Sequence, residues 1–253
     1  MNTKTDYIAV FDSGVGGISV LRHLRRVMPG ERYLYFGDSA NAPYGTKTKE
    51  EVKHLTFAAA EKLMARGIKA LVVACNTATS AAIADLRAAY PELIVIGIEP
   101  ALKLAVDTFP GGRLCVMATP MTLREEKFAG LMSRYAQSCT VHKLPAPGLV
   151  ELVESGKADS PEMDALLSSL FAPHLGQLDA VVLGCTHYPF AARALSRVLG
   201  KDVVLLDGGD GTARETKRRL REAGLLEEGE GSLTIENSKN SERLIPLSWE
   251  LLR

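Results

Sequence analysis

Short apolar runs alternate with longer amphipathic stretches from one end of the chain to the other. That alternation predicts an α/β fold built on mainly parallel sheets, because parallel neighbours need a crossover helix between them. Tyr7–Phe11 reads as a buried strand. Gly17–Met28 reads as a helix that puts Val20, Leu21, Leu24, Val27 and Met28 on one face, and Pro29-Gly30 stops it. Tyr33–Phe36 is a second strand, followed by a polar loop through Pro43-Tyr44-Gly45. Thr48 with Glu51 makes a capping box for a helix that runs to about Arg66 and is closed by Gly67. Ala70–Ala74 is the third strand, Ala78–Ala89 the helix behind it, and Leu93–Gly97 a further buried strand.

At Glu99-Pro100 the pattern restarts. It predicts a helix near Ala101–Thr108, a turn at Gly111-Gly112, a strand Arg113–Ala118 and a helix near Met121–Tyr135. A strand Thr140–Leu144 and helices near Leu149–Glu154 and Glu162–Leu175 follow. Asp179–Leu183 is another strand, with Pro189 in the first turn of the next helix, and Val203–Leu206 is the last buried strand of this half. Asp207-Gly-Gly-Asp-Gly-Thr212 is a second crossing, with Asp210 or Thr212 capping a helix to Ala223. A solvated turn at Glu227–Gly231 and a weak strand near Leu233–Glu236 are too little for a domain of their own. The expected plan is two similar α/β domains, each a mainly parallel sheet flanked by helices, with the active site at the cleft between them. Residues 1–98 and 208–253 make the N-terminal domain, completed by the C-terminal segment, and residues 99–207 make the second.

Composition narrows the partners. A chain of 253 residues with 46% apolar content can bury a full core. Thirty basic and thirty acidic residues cancel, and no basic stripe marks a nucleic-acid surface. Apolar runs are far shorter than a membrane span, and the polar start Met1–Asp6 lacks the hydrophobic region of a signal peptide. The four cysteines include no Cys-x-x-Cys pair. A cytoplasmic protein with reduced thiols is therefore expected, with a small-molecule substrate and neither nucleic acid nor membrane as partner.

Two of those cysteines sit in matching settings, Leu71-Val-Val-Ala-Cys75-Asn-Thr77 and Val181-Val-Leu-Gly-Cys185-Thr-His187. Each follows a buried strand and precedes a helix start, so each half of the chain delivers one thiol to the end of a parallel strand, where ligands bind in open α/β sheets. A helix N-terminus favours thiolate and offers N–H groups to a carboxylate. Two thiols facing one carbon are what a cofactor-free racemase requires, one to take a proton and one to return it on the opposite face. Asp12 and Ser13, at the end of the first strand, are candidate site residues. Gly14, Gly16 and Gly17 beside them fit a tight turn better than a dinucleotide fingerprint. Asn76 and Thr77 are helix caps or substrate ligands. His187 can hold Cys185 as thiolate or relay its proton. A metal site on Cys75, Cys185, His187 and Asp12 would rest on a Cys-x-His spacing that makes a poor zinc chelate, with no second Cys/His cluster to support it, and no metal is expected. Glu99 and Glu154 are candidate auxiliary acids, Thr119 and Thr122 are ligand hydroxyls or caps, and Cys115 and Cys139 read as ordinary thiols without polar partners.

Asp12-Ser-Gly-Val-Gly-Gly17, Gly37-Asp38 with Pro43-Tyr-Gly45, Ala74-Cys-Asn-Thr-Ala78 and Gly184-Cys-Thr-His-Tyr-Pro189 together resemble bacterial glutamate racemase, of the aspartate/glutamate racemase family, in order and spacing. The resemblance covers almost the whole chain. It implies cofactor-independent interconversion of L- and D-glutamate, which supplies D-glutamate for the peptidoglycan stem peptide, and two α/β domains that close on glutamate. By the matching motifs Cys75 is the base toward D-glutamate and Cys185 the base toward L-glutamate, with Asp12 assisting Cys75 and His187 assisting Cys185. Glu154 sits where the motif places another acid. Asp12, Ser13, Tyr44, Gly45, Asn76, Thr77, Thr119, Thr186 and His187 are expected to line the substrate, and a homodimer is implied. Ala146 stands where many members carry a cysteine that is not one of the two bases. An N-terminal extension like that of members activated by a cell-wall precursor is lacking, so no such dependence is expected.

The α-proton of an amino acid is a very weak acid, and the sequence carries no pyridoxal-type lysine motif. Such an enzyme relies on positioning, exclusion of water and donors aimed at the carboxylate, with helix N-termini at Asn76 and Thr186 as candidate donors. Three other readings fit less of the sequence. An aspartate or hydantoin racemase of the same design differs only in pocket shape. A thiol hydrolase with Cys185 as nucleophile and His187 as base leaves Cys75 idle. A two-lobed binding protein would bind without exchanging the α-proton.

Overall fold

The computed structural model describes residues 3–124, 130, 133, 138–239 and 241–253. They form two all-parallel sheets flanked by helices, one in each of two compact units. The first unit comprises Met1–Glu99 with Gly209–Arg253, and the second Pro100–Gly208.

The first unit contains β1 (Tyr7–Asp12), α1 (Ile18–Val27), β2 (Arg32–Gly37), α2 (Lys49–Met64), β3 (Ile68–Val73), α3 (Asn76–Ala89) and β4 (Ile94–Gly97). The strands run in the order β4-β3-β1-β2, and β9 (Ser232–Asn237) extends the β2 edge in parallel register, Tyr35 opposite Ile235. The second unit contains α4 (Leu102–Thr108), β5 (Arg113–Ala118), α5 (Pro120–Arg124), β6 (Thr140–Pro145), α6 (Leu149–Glu154), α7 (Pro161–Phe171), β7 (Ala180–Gly184), α8 (Ala192–Leu199) and β8 (Val204–Asp207). Its order is β6-β5-β7-β8. Both sheets thus place their second strand on one side of the first and their third on the other. The loops after the first and third strands diverge at that reversal, which opens a crevice at the strands' carboxyl ends.

Local chemistry explains the elements. In β1 and β3 the residues Ile8–Phe11 and Ala70–Val73 are buried on both faces, as a central parallel strand requires. In α1 the stripe Ile18, Leu21 and Leu24 is fully buried, each residue contributing about 1.5–3 kcal/mol of transfer free energy. The Thr48–Glu51 capping box is present in both directions. Gly67, at φ +74°, takes the left-handed turn after α2.

Two expectations change, one helix is new to the reading and one is described only at its start. The helix after the second crossing, α9 (Gly209–Glu222), starts before Asp210 and Thr212, so neither caps it. The Asp210 carboxylate instead pairs with Arg214 at 2.7 Å and Arg26 at 3.1 Å. A C-terminal helix α10 (Ser241–Leu252), packed on α1 and β9, has no counterpart in the sequence reading, because Pro246 interrupts its pattern. Helix α5 covers the start of the expected Met121–Tyr135 helix, whose remainder lies largely outside the described residues. Cys139 lies in the apolar core beside Leu114, Val116 and Val182, yet its sulfur donates to the Phe109 carbonyl at 3.1 Å. No helix among the described residues is long and apolar enough to cross a membrane.

Candidate active site

In the first unit the reversal falls between β1 and β3, and the candidate residues gather there. Asp12 ends β1, fully buried, and its Oδ1 accepts from the Gly14 N–H at 2.9 Å, which closes the turn into α1. Gly17 is required at this turn, since a Cβ there would lie 2.6 Å from the Asp12 Cβ. Cys75 lies two residues beyond β3, and Ala74 N–H donates to the Phe11 carbonyl at 2.8 Å, tying the two strand ends together. Ser13 Oγ approaches Cys75 Sγ at 3.5 Å.

Cys75 is itself the N-cap of α3, its sulfur accepting from the Ala78 N–H at 3.4 Å. This corrects the expectation that Asn76 or Thr77 caps the helix. A sulfur acceptor replaces the hydroxyl or amide, and the N–H that would meet a cap instead meets the thiol. Asn76 and Thr77, both buried, fall in the first turn of α3. The Asn76 amide has no hydrogen-bond partner among the described residues, a buried donor and acceptor that the fold itself does not satisfy.

Tyr44 and Gly45 open a short 3₁₀ turn, Tyr44–Thr46, that packs on α3. The Tyr44 ring stacks at a tilt against Phe11, and its hydroxyl donates to Asp38 Oδ2 at 2.8 Å. Burial, and next the Asp38 charge, hold this phenol well above the usual tyrosine range, so it stays a neutral donor. Its only proton is committed to Asp38, so side-chain donation to a substrate is not available from Tyr44.

In the second unit Cys185 directly follows β7. Gly184 before it is forced by space, because a Cβ would sit 2.8 Å from the Met117 carbonyl oxygen. Cys185 Sγ lies 3.8 Å from His187 Nδ1, and His187 Nε2 lies 3.1 Å from Glu154 Oε1 at the end of α6. Thiol, imidazole and carboxylate therefore follow one another in contact, with Cys185 and His187 buried and Glu154 reaching solvent. The carboxylate fixes which imidazole nitrogen carries a proton, and the other nitrogen faces the sulfur. Tyr188, buried against this group, is held well above its ordinary pKa by burial and by the charges of Cys185 and Glu151.

The expected helix start at Thr186 is absent. Tyr188–Ala191 is a 3₁₀ turn, and α8 begins only at Ala192. Pro189 has no N–H for the Cys185 carbonyl, which accepts from Tyr188 N–H at 3.1 Å instead. Cys185 thus lacks the α-helical terminus that Cys75 has, and has the His187 imidazole beside it instead. Thr119 and Thr122 bond to each other at 3.0 Å, and Thr122 N–H donates to Thr119 Oγ1 at 3.3 Å. That is capping geometry, directly after β5. Glu99 lies exposed beyond β4. Ala146, after β6, is buried. Among the described residues no group of three or more His, Cys, Asp and Glu side chains is placed to hold a metal ion.

Two contacts were missed by the sequence reading: Ser13 with Cys75, and the Tyr44 hydroxyl with the carboxylate of Asp38. The second had a cue, an acid at the carboxyl end of β2 that mirrors Asp12 at the end of β1.

Residues 17–216 match the model of the family described as Asp/Glu/Hydantoin racemase. The chain is 51% identical over 257 residues to glutamate racemase of Clostridium kluyveri, covering 100% of each. Among solved structures it is similar to glutamate racemase isoform RacE1 of Bacillus anthracis, at TM-score 0.88 and 30% identity over 98% of this chain and 94% of that one. It is also similar to glutamate racemase of Thermus thermophilus in complex with beta-chloro-D-alanine, at TM-score 0.84 and 36% identity over 100% of this chain and 95% of that one. With a family model matched over most of its length and half of its residues shared with a full-length relative, the chain belongs to the Asp/Glu/hydantoin racemase family of isomerases.

Proposed function

We propose that the chain interconverts L- and D-glutamate without a cofactor, with Cys75 and Cys185 as the two bases. The observation that carries the substrate is identity of about half of all residues, over the full length, to a glutamate racemase. In one direction a thiolate takes the α-proton and the resulting carbanion takes a proton from the other thiol. The protonation states of the two sulfurs are then exchanged, and the reverse reaction restores them. The Asn76 amide and the N–H groups of the first turn of α3 would hold a substrate carboxylate as charge builds toward the α-carbon. Asp12 and Ser13 would assist Cys75, while His187 held by Glu154 would assist Cys185. Tyr44, Gly45, Thr77, Thr119 and Thr186 complete the proposed lining. The product would feed peptidoglycan synthesis in the cytoplasm, and the active form would be a homodimer of two-domain chains, residues 1–98 with 208–253 and residues 99–207.

Proton NMR of L-glutamate in D2O with the purified protein, read beside circular dichroism, tests this. Loss of the α-proton signal with decay of optical activity to zero is expected. Exchange of aspartate with glutamate untouched would move the substrate to the family's other members. Cys75→Ala and Cys185→Ala should each abolish racemisation, whereas a protein working through Cys185 and His187 alone would keep its activity when Cys75 is lost. Racemisation should follow a bell-shaped pH profile whose apparent pKa values belong to coupled groups.

A further inference from the structure

Outside the residues assigned above, a polar cluster at the carboxyl end of the first sheet centres on Asp38, the residue after β2. Its side chain is buried, and three residues converge on the carboxylate. Asn41 Nδ2 donates to Oδ1 at 3.1 Å and to Oδ2 at 3.0 Å, Tyr44 hydroxyl to Oδ2 at 2.8 Å, and Ser238 hydroxyl to Oδ1 at 2.8 Å. Its backbone N–H donates to the carbonyl of Asp12 at 2.9 Å. Four donor contacts to one buried carboxylate are stronger than neutral hydrogen bonds and fix their donors in place.

The cluster joins two distant segments. Ser238, just beyond β9, accepts from Ala40 N–H at 2.9 Å while it donates to Asp38, and its own N–H donates to the Gly37 carbonyl at 2.9 Å. Asn237 Nδ2 donates to Ser39 Oγ at 2.9 Å. The end of the C-terminal strand is therefore wired to the 38–44 loop, which ends at the turn on α3, the helix that Cys75 caps.

We propose that Asp38 is a positioning residue for the racemase site: it holds the Tyr44–Gly45 turn in its substrate-binding position and passes to it the anchorage of Ser238, the residue after β9. This rests on the reading that Tyr44–Gly45 contacts substrate. A turn that binds substrate and transition state alike acts on KM and leaves kcat alone. A carboxylate that only stabilises the fold would lower the melting temperature and move neither constant.

The test is steady-state racemisation by Asp38→Asn, Ser238→Ala and the double variant, with melting temperatures alongside. Asp38→Asn should raise KM about tenfold, as expected for loss of a charge-assisted contact, with kcat within about threefold of wild type. Ser238→Ala, at an exposed position, should raise KM about threefold and add little in the Asp38→Asn background, because both act through one carboxylate. Unchanged KM in both single variants, additive effects in the double, or a fall in kcat at constant KM would each overturn the proposal. If Asp38→Asn fails to fold, Ser238→Ala decides on its own. If wild-type protein leaves glutamate untouched, the glutamate assignment fails separately, and the same split is read on L-aspartate.

Discussion

Cys75, Cys115 and Cys185 are all buried thiols, and burial does not separate their roles. Cys115 lies in the middle of β5 among apolar neighbours, where burial pushes its thiol up to about 12. Cys75 meets a helix N-terminus and Ser13, and Cys185 meets His187. Alkylation at pH 8 followed by peptide mass spectrometry should modify Cys75 or Cys185 well before Cys115, with glutamate protecting the former pair. Cys115 also carries a stability signature. Its folded pKa is raised, so its contribution is constant below the ordinary thiol range near pH 9 and is lost as pH climbs toward about 12. The loss is at most about 1.4 kcal/mol per pH unit within that window. Urea unfolding at pH 8 and pH 10.5 should therefore show a smaller drop for Cys115→Val than for wild type. The four cysteines were countable in the sequence, and the motifs around two of them singled those out. The sulfur contacts of Cys75 and Cys139 were not legible, because they come from residues distant in the chain or from an unusual cap.

Elements were most legible where their signals are local. The Thr48–Glu51 box and the Gly67 stop lie within a turn of the helix ends they define, so α2 could be read from the sequence. The Cys185 loop could not, since the choice between α and 3₁₀ there hangs on the missing N–H of Pro189 and the strand before it. The cap on α3 yields a direct check. Cys75→Ala removes the acceptor for Ala78 N–H and should cost about 1 kcal/mol, while Cys75→Ser keeps an acceptor and should lie closer to wild type in urea midpoint. Both should be inactive as racemases. Gly37 is constrained more severely. A Cβ there would lie 2.3 Å from the Gly14 carbonyl oxygen and 2.8 Å from Asn237 Nδ2, so Gly37→Ala should strongly destabilise the first unit in thermal melts.

At the scale of the whole chain, a fully buried ion pair ties the N-terminal segment and the loop before β9 into the first unit. Lys69 Nζ lies 2.6 Å from Glu31 Oε2 and also donates to the carbonyls of Lys4 and, at 3.0 Å, Leu225, while Glu31 Oε1 accepts from Glu227 N–H at 2.9 Å. Breaking it with Lys69→Met leaves a carboxylate buried without its cation and should cost about 3–5 kcal/mol in urea unfolding. The double variant Lys69→Met, Glu31→Leu should recover much of that, because neither charge is then stranded. In the sequence Lys69 is simply a polar residue at a strand start, and its partner lies in a loop before another strand. The sequence by itself determined the α/β class, the alternation of elements, the two thiols at strand ends and the family, because these depend on short-range pattern and on motifs a few residues long. Tertiary structure alone decided the order of the strands. That order sets Ser13 beside Cys75, lines Glu154 up behind His187, and returns β9 to deliver Ser238 to Asp38. Such pairings join residues far apart in the chain, and only the closing of a sheet, which buries both its faces at once, brings them within hydrogen-bonding reach.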